Sequence, residues 1–388
     1  MHAHRVTDGV QGAGGGPAMR LGLIGLGRIG AFHAETLAGL DGVELIVTDA
    51  VPEVTERIAA KYGLATAASP PELLTMGLDG VVIAAATDAH PRLILAAVEA
   101  GLPVFCEKPV ARAPEEAAEV LRQCAGAKVQ IGYNRRFDPG FVAARDAVLS
   151  GELGRLHTMR LTTMDPAPPP AGYLAASGGI FRDCSVHDFD IVRFVTGVEV
   201  VEVYATGSDR GDEIFAAAHD VSTAAAVLTL DDDTLAVVSN TRYNGRGYDV
   251  RLELHGTADS IAAGLDEGLP PRSAEPGADL PGGLPHGLFM DRFATAYRRE
   301  LVAFTEVVAG VRESPCTVAD AVEAGWIAEA CSLSLRERRP VRISEVRRED
   351  RRRPAVRSRV GDTAAARSIT LPGGSGPGAV DWQKCVVV

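Results

Sequence analysis

Lysine is nearly absent from this chain: only Lys61, Lys108, Lys128 and Lys384 occur, beside a large complement of arginine. A generic surface cation here is therefore an arginine, and a lysine at a chosen place asks for a chemical reason. Aromatic residues make up only 5%, which fits a core of Ala, Val and Leu in an α/β protein. Cys106, Cys124, Cys184, Cys316, Cys331 and Cys385 are scattered, with no CxxC pair. Neither a disulfide framework nor a zinc ribbon follows, and reduced thiols in the cytoplasm are expected. No apolar run reaches the roughly 18 residues that a membrane span needs. Met1 to Ala18 is rich in His and Gly and lacks an apolar stretch, so it reads as a flexible leader rather than a signal peptide. Net charge is −12, and much of the arginine lies after Arg336. The body is thus more acidic than the total, and no nucleic-acid partner is expected.

What is present begins at Leu21-Gly22-Leu23-Ile24, which runs into Gly25-Leu26-Gly27-Arg28-Ile29-Gly30 and then a helical pattern. This is GxGxxG between a strand and a helix. Gly25 allows the turn, Gly27 lets the backbone approach a pyrophosphate, and Gly30 lets the helix lie close to the sheet. The helix amino terminus offers free N–H groups and partial positive charge to the phosphates. A second strand, Val43 to Thr48, ends at Asp49, nineteen residues after Gly30. A carboxylate there accepts hydrogen bonds from the ribose hydroxyls and repels a 2′-phosphate, so NAD is expected over NADP.

From Met19 to about Phe137 strands alternate with helices, which predicts a parallel sheet covered on both faces. Val81 to Ala84, Val104 to Cys106 and Val129 to Ile131 are its later strands. After a helix from Asp138 to Ser150 the rhythm changes. Leu156–Thr163, Val198–Ala205, Ser222–Leu230, Thr234–Thr241 and Asp249–His255 read as strands, with Asp231-Asp232-Asp233 a turn between two antiparallel neighbours. The second half is therefore α+β with an open, mainly antiparallel sheet. Gly264 to Gly287 reads as a surface loop, followed by helices at Met290–Ala309 and Val318–Leu335. The basic, then Gly-rich, stretch beyond Glu345 reads as disordered, either a solvated tail or one that touches something anionic.

Two clusters carry chemistry. Cys106-Glu107-Lys108-Pro109 puts a rare lysine where an apolar strand stops; it is either a strand-end charge or a functional cation. The segment from Gly178 to Phe194 sets Asp183 and His187 near the amino end of a helix starting about Ser185. His187 is either a structural histidine or a general base whose tautomer a nearby carboxylate fixes. Asp188 and Asp190 suit a first helical turn, and Asp190 is placed to pair with Arg193. A metal site at Asp183, Cys184 and His187 lacks further ligands of clear type.

The glycine turn, the Cys106-Glu107-Lys108-Pro109 strand end, Tyr133-Asn134-Arg135-Arg136-Phe137-Asp138 and the Gly178-Gly179…Asp183…His187…Asp190 cluster together resemble the glucose-fructose oxidoreductase, inositol dehydrogenase and MocA family. Asp165-Pro166-Ala167-Pro168-Pro169-Pro170 and Gly247-Tyr248-Asp249 sharpen the similarity to bacterial inositol 2-dehydrogenases. The resemblance covers about 19 to 345. It implies a Rossmann NAD-binding domain at 19–137 and a substrate-binding and oligomerisation domain at 138–345, and leaves outside it the leader at 1–18 and the tail at 346–388. It also implies a homodimer or homotetramer and a cis Lys108–Pro109 bond. Lys108 then stands beside the reacting hydroxyl of a cyclitol or sugar, with His187 the base and Asp183 its partner. Arg135, Asp165, Asp190, Arg246 and Tyr248 are candidates to line the polyol pocket. Arg28, Ile29, Thr87, His90 and Glu107 complete the candidate cofactor contacts.

Two positions depart from the pattern. Arg246 stands where an aromatic often precedes Gly-Tyr-Asp, and Asp165 where some members have Asn. Either the added charges suit a ring bearing an amine, keto or carboxyl group, or they pair with each other or face solvent. A regulator of the same fold that binds the cofactor without catalysis is a further alternative, and the joint presence of Lys108, Asp183 and His187 argues against it.

Overall fold

The computed structural model describes residues 18–278 and 283–349. The expected leader up to residue 17 and the tail from 350 lie outside the described residues. The first half alternates strands and helices: β1 (Met19–Ile24), α1 (Arg28–Ala38), β2 (Val43–Thr48), α2 (Pro52–Tyr62), β3 (Ala65–Thr66), α3 (Pro70–Leu74), β4 (Gly80–Ile83), α4 (His90–Glu99), β5 (Val104–Glu107), α5 (Pro114–Gln123) and β6 (Val129–Gly132). The strands form a six-stranded sheet in the order β3-β2-β1-β4-β5-β6, and every pair is parallel. Parallel strands are buried on both faces, so they read as continuous apolar runs; Val81, Val82 and Ile83 are fully buried. The order reverses between β1 and β4, and a ligand crevice opens at the carboxyl ends of strands at such a point.

The second half comprises α6 (Pro139–Leu149), β7 (Leu156–Met164), α7 (Ala171–Ser177), α8 (Val186–Thr196), β8 (Val200–Ser208), α9 (Glu213–Ala217), β9 (Thr223–Leu230), β10 (Leu235–Thr241), β11 (Asp249–Gly256) and β12 (Ser260–Ala263). It closes with α10 (Phe289–Arg292), α11 (Ala294–Val308), α12 (Val318–Glu337), β13 (Val341–Arg342) and α13 (Ile343–Glu349). Seven strands pair in the order β12-β11-β7-β10-β9-β8-β13. β9 and β10 pair antiparallel through the Asp231–Asp233 turn, as the sequence predicts. β10 also pairs with β7, and that pair is parallel. Burial alternates along β9 and β10, so one face packs on helices and the other stays open.

Some boundaries differ from the sequence reading. The expected helix from Met290 breaks at Phe293, whose ring is 1% exposed and packs on Phe141 and Tyr248. The helical path into α8 starts before Ser185, with a wide π-type turn over Phe181–Ser185. α13 carries the chain past Glu345, where disorder was expected to begin. Among the described residues no helix is long and apolar enough to cross a membrane.

Candidate active site

The glycine turn sits at the reversal between β1 and β4. Gly25 holds φ at +93°, and a Cβ there would lie 2.5 Å from the Ala85 amide nitrogen, a close approach that only glycine permits. A Cβ on Gly30 would strike the Gly25 carbonyl oxygen, whereas one on Gly27 would meet nothing within 4 Å. The turn is therefore packed on its inner side and open above Gly27. Gly27 caps α1 without any side-chain hydrogen bond, which leaves first-turn amides for an anion. These features fit a dinucleotide pyrophosphate. Asp49 Oδ2 accepts the Leu26 amide at 2.6 Å and Oδ1 the Val51 amide at 2.9 Å, so the carboxylate assigned to the ribose also braces the glycine turn. Arg28 is exposed beside part-buried Ile29, its guanidinium 5.1 Å from the centre of the Phe289 ring.

Thr87 lies in a short turn after β4. His90, a candidate cofactor contact, is 1% exposed. Its Nδ1 lies 2.7 Å from the Pro109 carbonyl oxygen and its Nε2 2.9 Å from that of Ala85. Both ring nitrogens are thus committed to the scaffold. Glu107 is held likewise: its Oε1 lies 2.7 Å from His33 Nε2, and its Oε2 accepts the Lys108 amide at 3.2 Å. The Lys108–Pro109 bond is cis.

Lys108 crosses from β5 to the second domain. Its ammonium donates to the Asp183 carbonyl oxygen at 3.0 Å and meets Asp183 Oδ1 at 3.4 Å. The same Oδ1 accepts the Tyr173 hydroxyl at 2.8 Å, and Oδ2 accepts Arg242 Nη2 at 2.7 Å. Burial alone would raise the Asp183 carboxyl, but the charges of Lys108 and Arg242 override it and hold the group well below the usual carboxylate range. His187 is partly buried, with its ring edge-on to Tyr133 at 5.7 Å between centres. Its Nδ1 has no hydrogen-bond partner among the described residues. Asp183 is therefore not the tautomer-fixing partner that the sequence reading assigned to His187, because donors from three other elements claim both of its oxygens. Burial, then the charges of Lys108 and Arg135, push the His187 imidazole well below its ordinary basicity.

Asp165, just past β7, accepts Arg242 Nη1 at 2.8 Å. Burial raises its carboxyl and Arg242 offsets part of that rise. Arg246, a candidate pocket residue, is exposed and donates from Nε to the Pro270 carbonyl at 2.7 Å; it does not pair with Asp165. Arg242 and Tyr173 escaped the sequence reading. Arg242 directly follows a predicted strand, but only the non-local pairing of β10 with β7 brings it to Asp165.

Behind the cleft lie two buried pairs. Arg135 Nη1 donates to Asp188 Oδ1 at 2.6 Å and to Thr163 Oγ1 at 3.0 Å, while Asn240 Nδ2 reaches Asp188 Oδ2 at 2.7 Å. Tyr248, 6% exposed, packs against Phe293 near Arg135. Arg136 forks onto both oxygens of Asp190 at 2.9 and 2.6 Å. Asp190 is 0% exposed, so the structure gives it to the core rather than to the polyol pocket. Arg193 is not its partner, pairing instead with Glu199 and Asp320.

Comparison with known proteins places the chain in a family. Residues 19–135 match the family model described as an oxidoreductase family with an NAD-binding Rossmann fold, and residues 141–262 match the GFO/IDH/MocA C-terminal domain. A myo-inositol dehydrogenase of Streptomyces leeuwenhoekii is 40% identical over 76% of this chain and 90% of its own length. An inositol 2-dehydrogenase of Rhizobium meliloti is 36% identical over 84% of this chain and 99% of its own. Among solved structures, a myo-inositol dehydrogenase of Corynebacterium glutamicum superposes with a TM-score of 0.78 at 33% identity, covering 84% of this chain and 98% of that one. A scyllo-inositol dehydrogenase of Lactobacillus casei with bound NAD(H) and scyllo-inositol gives 0.75 at 28% identity, covering 84% and 99%. With a glycine turn at the sheet reversal, Lys108 reaching across to Asp183, and both domains matched, the chain belongs to the Gfo/Idh/MocA family of NAD-binding oxidoreductases.

Proposed function

We propose that this oxidoreductase converts a secondary hydroxyl of an uncharged cyclitol, such as myo-inositol, to a ketone with NAD as oxidant. The observation that carries the reading is the ammonium of Lys108 anchored on residue 183 beside His187, whose imidazole is held below its ordinary basicity by burial and by the charges of Lys108 and Arg135. An ammonium has three donors. Two contacts go to Asp183, which leaves the third for a substrate oxygen. As the hydroxyl O–H bond breaks, His187 takes the proton and Lys108 stabilises the developing negative charge on oxygen. The C–H bond breaks as the carbonyl forms, and bound NAD supplies the hydride acceptor at its nicotinamide ring.

The charges around the site support an uncharged ring. Lys108, Arg242 and Arg135 are matched by Asp183, Asp165 and Asp188, and His187 is neutral. Asp165 is taken by Arg242 and Arg246 by Pro270, so neither is presented to an amine or a carboxyl. Relatives described as myo-inositol and scyllo-inositol dehydrogenases support the same substrate class.

A homodimer or homotetramer is part of the reading. Tyr204, Val227 and Val237 lie in register across β8, β9 and β10 on the open sheet face, and they are 44%, 42% and 37% exposed. Such a strip suits burial against a second copy. Among the described residues five cysteines are free and buried, which supports a reducing, cytoplasmic setting.

The test is NADH absorbance on adding myo-inositol, scyllo-inositol or glucose to protein and NAD. Reduction with a cyclitol and little with glucose is expected. If NAD binds and no polyol reduces it, a non-catalytic cofactor-binding role replaces this reading.

A further inference from the structure

Arg242 stands immediately after β10, where its amide donates to the Ser222 carbonyl at 2.8 Å. Asp165 stands immediately after β7, and its amide donates to the Thr241 carbonyl at 2.9 Å. The parallel register that pairs Thr241 with Met164 therefore brings the two side chains together at the sheet's end. The Arg242 side chain is 5% exposed, and its fork is divided: Nη1 serves Asp165 and Nη2 serves Asp183. A planar guanidinium can bridge two carboxylates in fixed directions, whereas a lysine ammonium is a single point charge. Asp183 comes from the π-type turn before α8 and Asp165 from the sheet, so Arg242 ties these two elements together inside the cleft.

Lys108 depends on this arrangement. Both of its acceptors belong to Asp183, the main-chain carbonyl at 3.0 Å and Oδ1 at 3.4 Å, so the direction of the carboxylate governs the second of the two contacts that place the ammonium. His187 lies four residues after Asp183, and its Nδ1 is unpartnered among the described residues. Lys108, Tyr173 and Arg242 hold the carboxylate, and none of these hydrogen bonds runs to that ring. We propose that Arg242 is a positioning residue, holding the Asp183 carboxylate on Lys108 and away from His187, so that the cation and the base act as separate groups.

Without Arg242, Asp183 keeps only Lys108 and Tyr173 and is free to turn to His187. The groups around the His187 ring are Lys108 after β5, Arg135 and Tyr133 after β6, and Asp183 in the preceding turn. Only Asp183 among them favours the imidazolium. Its approach therefore raises the pH at which His187 titrates and removes the second of the two contacts that place Lys108.

The inference rests on the functional reading above for its consequence, but it has a readout of its own. NMR titration of the His187 ring, identified among nine histidines by its loss in His187→Asn, needs no substrate. In Arg242→Gln the His187 titration is expected to move to higher pH, and the acid limb of kcat/KM with it. kcat falls about 10- to 100-fold through misplacement of Lys108, while NAD affinity stays close to that of the unaltered protein. Arg242→Lys keeps the charge without the fork, which guards against failure of the first variant to fold; it is expected to move both quantities part of the way. Added to Asp183→Asn, Arg242→Lys should cost nothing further in kcat. A His187 titration unmoved in both Arg242 variants overturns the proposal, as does an Arg242→Lys loss that multiplies with that of Asp183→Asn. Failure of every cyclitol to reduce NAD would instead defeat the functional reading, and the NMR titration would still decide the role of Arg242.

Discussion

Lys108 holds Asp183 through two atoms of the same residue, its carbonyl oxygen at 3.0 Å and its Oδ1 at 3.4 Å. The ammonium is thereby fixed across the cleft from the glycine turn, by contacts that do not involve the cofactor site. Lys108→Met, similar in length and without charge, should lower kcat by roughly 100- to 10,000-fold. NAD affinity, measured by fluorescence titration, should be nearly unchanged. Comparable turnover in the variant removes Lys108 from the chemistry.

His187 must be neutral to accept a proton. Burial and the charges of Lys108 and Arg135 lower its basicity, so the neutral form persists to lower pH than in a free histidine. The acid limb of kcat/KM should therefore fall below about pH 6.5, the ordinary histidine value. His187→Asn should abolish that limb along with most of the activity. A limb at or above the ordinary value contradicts the assignment.

Arg136 and Asp190 form a buried pair, 6% and 1% exposed at the side chain. Arg136→Met strands a carboxylate in the core and should cost about 3–5 kcal/mol of unfolding free energy, read from urea melts. Asp190→Asn should likewise lower stability and leave the cyclitol KM close to that of the unaltered protein. A raised KM with stability intact would return Asp190 to the pocket.

Glu300 on α11 is 0% exposed, and neither carboxyl oxygen has a hydrogen-bond partner among the described residues. Burial, then the charges of Glu107 and Asp190, raise its carboxyl well above the usual range. A group whose folded pKa lies above its unfolded value, about 4.3 for Glu, contributes fully below that value and loses the contribution as pH rises toward the folded pKa. Glu300→Met should therefore raise Tm more at pH 8 than at pH 4. Equal shifts at the two pH values show that the effect is packing alone.

The first domain was legible because its signals are local. The glycine turn, the alternation of apolar strands and helices, and Asp49 at the end of β2 all follow within one or two elements of each other. In the second half, short strand-like runs and the Asp231–Asp233 turn revealed β9 and β10, but nothing local marks β10 as a parallel neighbour of β7. That pairing is what brings Arg242 to Asp165. Asp188 and Asp190 look interchangeable in sequence, yet residues two apart on a helix point to opposite sides; one meets Arg135 and the other Arg136. Tyr173 lies on a seven-residue helix, too short for periodicity to announce.

The pairing of Lys108, Arg242 and Arg135 with Asp183, Asp165 and Asp188 makes the two ligands respond differently to ionic strength. An uncharged ring entering a site with no net charge has no long-range field to screen, so its KM should stay flat as salt is added. The dinucleotide carries phosphates toward a chain of net charge −12, and its approach is eased when salt weakens that repulsion. Salt thus separates the arrival of the cofactor from that of the substrate.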